Sequence, residues 1–138
     1  MTDTALTILH NPALSDAQCA GIAALYRAVG WGSPGTTQEI RELYEFSSYT
    51  LLVQDGEQVT GLLRAESETA QTTWLAEIAV LPGFQSCGVG RLLMARFIAD
   101  HPQRTLYTDA TEGVEEFFLR HGIALRRPRV PGPRKVDA

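Results

Sequence analysis

An apolar stretch ending at Leu81-Pro82-Gly83, the six residues Gln85-Ser86-Cys87-Gly88-Val89-Gly90, and an amphipathic run from Arg91 to Asp100 follow one another closely. This succession restricts the fold more than any other part of the chain. It demands a strand, a tight glycine-bearing turn and a helix, because Val89, Leu93 and Phe97 share one helical face with Met94 and Ile98 beside them. Such a turn also suits an anion. The first helical turn has N–H groups without intrahelical acceptors, and the helix dipole places partial positive charge there. Gly88 and Gly90 let the main chain approach a phosphate with no Cβ in the way. Two well-known phosphate loops are excluded by the spacing. Arg91-Leu92 follows Gly90 where a Walker loop has Lys-Ser/Thr, and Leu93 stands where a dinucleotide fingerprint has its third glycine.

The rest of the chain builds around this unit. Alternation in Ala5-Leu6-Thr7-Ile8-Leu9 predicts a first strand over 4–10. Ser15-Asp16-Ala17-Gln18 reads as a capping box, followed by Cys19, Ile22, Tyr26 and Val29 at helical spacing and a stop at Gly30. Thr36-Thr37-Gln38-Glu39 repeats the signal before a short helix with Ile40, Leu43 and Tyr44. Between the two helices, Trp31-Gly32-Ser33-Pro34-Gly35 is a loop. Strands are expected over Tyr49–Val53, Val59–Ala65 and Thr72–Leu81, with a hairpin turn at Asp55-Gly56. His101-Pro102 ends the central helix, Thr105–Asp109 is a short strand, and a last helix runs from Glu112 to His121 before Gly122. The expected order is mixed α/β with an antiparallel meander at its centre.

At 138 residues, the chain suits one domain with a core of its own. No apolar run reaches the length of a membrane span, and Met1-Thr2-Asp3-Thr4 lacks the character of a signal peptide. Cys19 and Cys87 are far apart and, with three scattered histidines, form no metal-ligand spacing. A reduced, cytoplasmic setting is therefore expected. The net charge of −4 is uneven: five Lys/Arg against Asp137 give residues 126–138 a charge of +4, leaving −8 on the rest. An acidic body argues against nucleic acid and for a cationic substrate. We divide the chain into a domain over 1–125 and a basic, proline-containing tail over 126–138.

Taken together, these motifs resemble the GNAT N-acetyltransferases. Val80, Pro82, Gln85, Gly88 and Gly90 match that family's V-x-P-x-x-Q/R-x-x-G-x-G pattern. Phe117-Phe118-Leu119-Arg120-His121-Gly122-Ile123 is similar to its F-Y-x-x-x-G-F ending, and Leu25 to Trp31 resembles the first-helix end of short bacterial members. The resemblance covers residues 4–124. It implies a single-domain GNAT fold of order β-α-α-β-β-β-α-β-α-β, a mostly antiparallel sheet with helices on both faces. It also implies acetyl-coenzyme A as donor and a primary amine as acceptor. The pyrophosphate is then expected on Gln85, Ser86, Cys87, Gly88, Val89, Gly90 and Arg91. The pantetheine arm is expected along Ile78, Ala79 and Val80, with Phe118 packed beside it.

A protonated amine has no lone pair, so transfer needs a base. Glu77, a carboxylate inside Trp74-Leu75-Ala76-Glu77-Ile78-Ala79-Val80, is the candidate; a strand glutamate facing water is the alternative. The family's acid, a tyrosine, is replaced here by Phe118, which leaves water, or a hydroxyl such as Tyr107 or Tyr49, as substitute proton donor. Thr111 is read as a helix cap with a secondary cofactor contact. Trp31, Tyr44 and Arg64 are the candidate acceptor residues, and His10, His101 and His121 read as surface groups at element ends. Relatives finish with two strands after Gly122, whereas this chain has proline-broken sequence there. Either a homodimer partner supplies the missing strand, or the acceptor site is more open. The expected activity is acetyl transfer to a small-molecule amine. A regulatory acetyl-coenzyme A-binding protein, or acetylation of a protein amine, are the alternatives.

Overall fold

The computed structural model of the chain describes residues 5–109 and 115–126. Six strands form one sheet in sequence order: β1 (Leu6–His10), β2 (Tyr49–Asp55), β3 (Gln58–Ser67), β4 (Thr72–Val80), β5 (Thr105–Asp109) and β6 (Ala124–Arg126). Pairing is antiparallel from β1 to β4 and parallel for β4–β5 and β5–β6. Among the described residues four α-helices accompany the sheet: α1 (Asp16–Ala28), α2 (Thr37–Glu45), α3 (Val89–Ala99) and α4 (Glu115–Arg120). Thr111 and residues 127–138 of the tail lie outside the described residues. Arg126, placed in the tail on sequence grounds, closes β6 instead.

Local signals set most of these boundaries. Both expected capping boxes are present: Ser15 with Gln18 and Thr36 with Glu39 exchange hydrogen bonds between side chain and backbone. Gly56 turns the β2–β3 hairpin with φ +62°, a backbone shape that suits glycine. The helices cover both faces of the sheet. On one face α1 and α2 bury Ile22, Leu25 and Ile40 against Leu52, Leu62 and Ala79. On the other, α3 and α4 bury Leu93, Phe97 and Phe118 against Leu51, Leu63 and Leu75. Gly61 lets α3 come close to β3; a Cβ there would stand 2.5 Å from Val89 Cγ1. Among the described residues no helix is long and apolar enough to cross a membrane.

Two irregularities in β4 prepare the functional site. Arg64 pairs with Glu77 but Ala65 pairs with Leu75, so Ala76 is an extra residue, a β-bulge. Strict alternation would place Leu75 and Glu77 on the same face. The bulge absorbs Ala76, so Leu75 and Ile78 face α3 while Glu77 and Ala79 face α1 and α2. The β4–β5 register also stops there, at Leu75 and Thr108, with the Thr108 hydroxyl on the Leu75 carbonyl at 2.8 Å. Beyond that fork, Ala76 to Val80 have no β5 strand against them.

Candidate active site

A cavity of about 550 Å³ opens at the fork. Its walls come from β4 (Leu75 to Val80), from Thr108 on β5, from Phe117 and Phe118 on α4, and from Gln85, Gly90 and Trp31. A second cavity of about 520 Å³ adjoins it, lined by Gln85, Ser86, Gly88, Gly90, Arg91, Phe117, Arg120 and His121. Gln85, Gly90 and Phe117 belong to both, so the two spaces meet at the start of α3.

The second cavity has the chemistry of a phosphate cradle. Gly88 sits at the N-cap of α3 with φ +83°, and no side chain caps the helix, in contrast to α1 and α2. The bond from the Leu92 N–H to the Gly88 carbonyl, at 2.9 Å, opens the helix ladder. The N–H groups of Val89, Gly90 and Arg91 precede it and point outward from the helix end. Arg91 and Arg120 bring positive charge, and the His121 ring meets Phe117 at a tilt of 53°, with centroids 4.8 Å apart. Gly90 serves a different purpose from Gly88. A Cβ there would meet Val80 and Phe117 at 3.7 and 3.9 Å, ordinary contact distances, so glycine keeps the passage between the cavities wide. These residues fit a diphosphate joined to a narrow arm. Val89 contributes backbone only, since its side chain is fully buried, and Cys87 is exposed. The Gln85 amide donates to the Val80 carbonyl at 3.3 Å, tying loop to strand.

Glu77 lies in the wall of the first cavity and is held from two sides. The Tyr26 hydroxyl donates to Oε1, and Arg64 Nη2 donates to Oε2 at 3.2 Å. Burial, and then the hydrogen bond to Glu77, push the Tyr26 phenol above the ordinary tyrosine range. Burial opposes the Arg64 charge, but Glu77 outweighs it and raises the guanidinium's pKa. The Tyr44 hydroxyl is buried behind this group without a hydrogen-bond partner among the described residues, and burial also raises its pKa.

The candidate residues therefore divide. Trp31, 46% exposed, is brought to the cavity. Tyr44, 5% exposed, packs behind Glu77 and does not line it. Arg64 is tied to Glu66 at 3.2 Å and to Ser47 at 3.3 Å as well as to Glu77, so it braces Glu77 instead of offering itself to a substrate carboxylate. Tyr107 is another correction. Its hydroxyl donates to Glu68 and accepts from Arg126 at 3.0 Å, away from the cavity wall. Tyr49 does not line the cavity either; it is buried against Phe97 and donates to Asp100 at 2.7 Å. Phe118 is 7% exposed and lines the cavity. Sequence reasoning missed Tyr26, Phe117, Arg120 and His121; the F-F-L-R-H run pointed to the last three, whereas Tyr26 gave only a core signal.

A family model described as Acetyltransferase (GNAT) family matches residues 13–123. The chain belongs to the GNAT acetyltransferase family. Solved structures agree in fold. A GNAT family protein from Streptococcus pneumoniae TIGR4 is 26% identical over 83% of each chain, with a TM-score of 0.64. A proposed acetyltransferase from Deinococcus radiodurans R1 is 20% identical over 98% of this GNAT chain and 92% of its own, with a TM-score of 0.74. The aminoglycoside N-acetyltransferase AAC(6')-Iy, solved in complex with CoA, is 18% identical over 97% of each chain, with a TM-score of 0.66. No curated protein matches.

Proposed function

We propose that this GNAT protein moves an acetyl group from acetyl-coenzyme A to a primary amine of a small molecule, directly within a ternary complex. One observation carries the reading: a carboxylate, Glu77, stands in the wall of a cavity that runs on into a phosphate cradle. Acetyl-coenzyme A supplies an activated thioester. The α3 N–H groups and Arg91 would hold its diphosphate, and the free edge of β4 from Ile78 to Val80 would take its arm. A main-chain N–H near Val80 would polarise the thioester carbonyl.

Glu77 takes the proton from the incoming ammonium, which frees the lone pair that forms the new C–N bond. The Trp31 face beside that carboxylate suits a cationic amine. As the C–S bond breaks, Phe118 offers the sulfur no proton. Departure as a free thiolate costs about 2 kcal/mol at pH 7, from a thiol pKa of about 8.5, and solvent then protonates it. The rate is lowered but the reaction proceeds.

A second reading, acetyl-coenzyme A sensing without turnover, is favoured by Phe118 and by the two donors already on Glu77. Thiol release from acetyl-coenzyme A with a panel of small amines and N-terminal peptides separates the readings. Release with small amines is expected. Tight coenzyme A binding with no release would favour the sensor, and release with peptides alone would move the acceptor to a protein amine.

A further inference from the structure

We propose that Tyr26 is a positioning residue that aims the Glu77 carboxylate into the cavity while its ring backs Trp31 as a wall of the acceptor site. The inference rests on the transfer reading above. Four groups face the Glu77 carboxylate or its immediate partner: Tyr26 from α1, Tyr44 from α2, and Arg64 and Glu66 from β3. Of these, Tyr26 and Arg64 donate to the carboxylate itself, one to each oxygen. An ionised carboxylate accepts at about four lone-pair positions, so capacity remains for the acceptor's proton. Arg64 is anchored by its second arm to Glu66 and Ser47, which makes it a fixed brace.

The Tyr26 ring adds something Arg64 lacks. It meets the Trp31 indole edge to face, with centroids 5.2 Å apart and planes at 84°. Trp31 is 46% exposed and lines the cavity, so its other contacts face the space an acceptor enters. One side chain on α1 therefore joins the base to the wall. Its hydroxyl and its ring do separable jobs. The hydroxyl fixes the direction of the carboxylate, because it donates to Oε1 from a helix packed on the sheet. The ring keeps the indole upright.

Tyr26→Phe and Tyr26→Leu separate the two jobs. With the hydroxyl removed, kcat should fall about tenfold, the size expected for losing a hydrogen bond to a charged group. In the Phe variant the KM for the amine should stay within about twofold, because the ring remains. The Leu variant should show the same fall in kcat and a KM raised about tenfold. A Phe variant with wild-type kcat, or with a KM raised as far as in the Leu variant, overturns the proposal. If the Leu variant does not fold, the kcat and KM of the Phe variant decide. If the wild-type protein releases no thiol, the transfer reading fails by itself. The carbon-13 shift of the Glu77 carboxyl at about pH 7 then decides the Tyr26 role: a changed shift in the Phe variant supports it, and an unchanged one refutes it.

Discussion

Glu77 is the residue on which the proposed transfer rests, and two neighbours hold it in the cavity wall. Two donors satisfy its oxygens without covering the cavity side. Glu77→Gln should lower kcat by about 100-fold, the lower end for loss of a general base, while coenzyme A affinity is unchanged. Steady-state kinetics paired with calorimetry checks both halves. A second residue-scale prediction concerns stability at the far end of α3. Burial acts to raise the Asp100 carboxyl, but hydrogen bonds from Tyr49 and Arg96 outweigh it and hold its pKa below the ordinary value. A carboxylate depressed in the folded state stabilises above its unfolded pKa and loses that contribution as pH falls through the folded one. Asp100→Asn should therefore destabilise by about 1 kcal/mol or less at pH 7. The gap between variant and wild type in urea melts should shrink below about pH 4.

At the scale of elements, the start of α3 separates two uses of glycine. Gly88 holds a left-handed backbone at φ +83°, so Gly88→Ala should cost about 1–2 kcal/mol of stability, read from a urea midpoint. Gly90 has ordinary space for a Cβ but borders both cavities. Gly90→Asp should leave the urea midpoint nearly unchanged and weaken coenzyme A binding by about 100-fold or more in calorimetry, since a carboxylate then faces the diphosphate. The bulge in β4 is the other decisive element. It turns Glu77 toward α1 and coincides with the fork where β5 departs, so the extra residue that aims Glu77 lies at the opening of the cleft.

For the whole molecule, the proposed ligand site lies between layers that fold together: β4 from the sheet, α3 and α4 from one side, and Trp31 after α1 from the other. Binding there stabilises the native state and leaves the unfolded one unaffected. Coenzyme A at about a hundredfold excess over its Kd should add about 2.7 kcal/mol, seen as a higher melting temperature. A melting curve indifferent to coenzyme A would refute its binding to the native protein.

The Gln85–Gly90 loop, both capping boxes, the Asp55-Gly56 turn and β5 over Thr105–Asp109 were legible in the residues, because each depends on neighbours only a few positions away. So was the family, through motifs spread along most of the chain. The bracing of Glu77 was not. It needs Tyr26 and Arg64, distant in sequence, and a bulge that strict alternation would deny. The same limit displaced Tyr44 and Tyr107 from the site and brought Arg120 and His121 to the cradle. Sequence by itself determined most elements and the glycine-bearing turn before α3, which local backbone chemistry specifies. Only the tertiary structure decided which face Glu77 occupies and what holds it there, because strand register and helix packing are settled between distant parts of the chain.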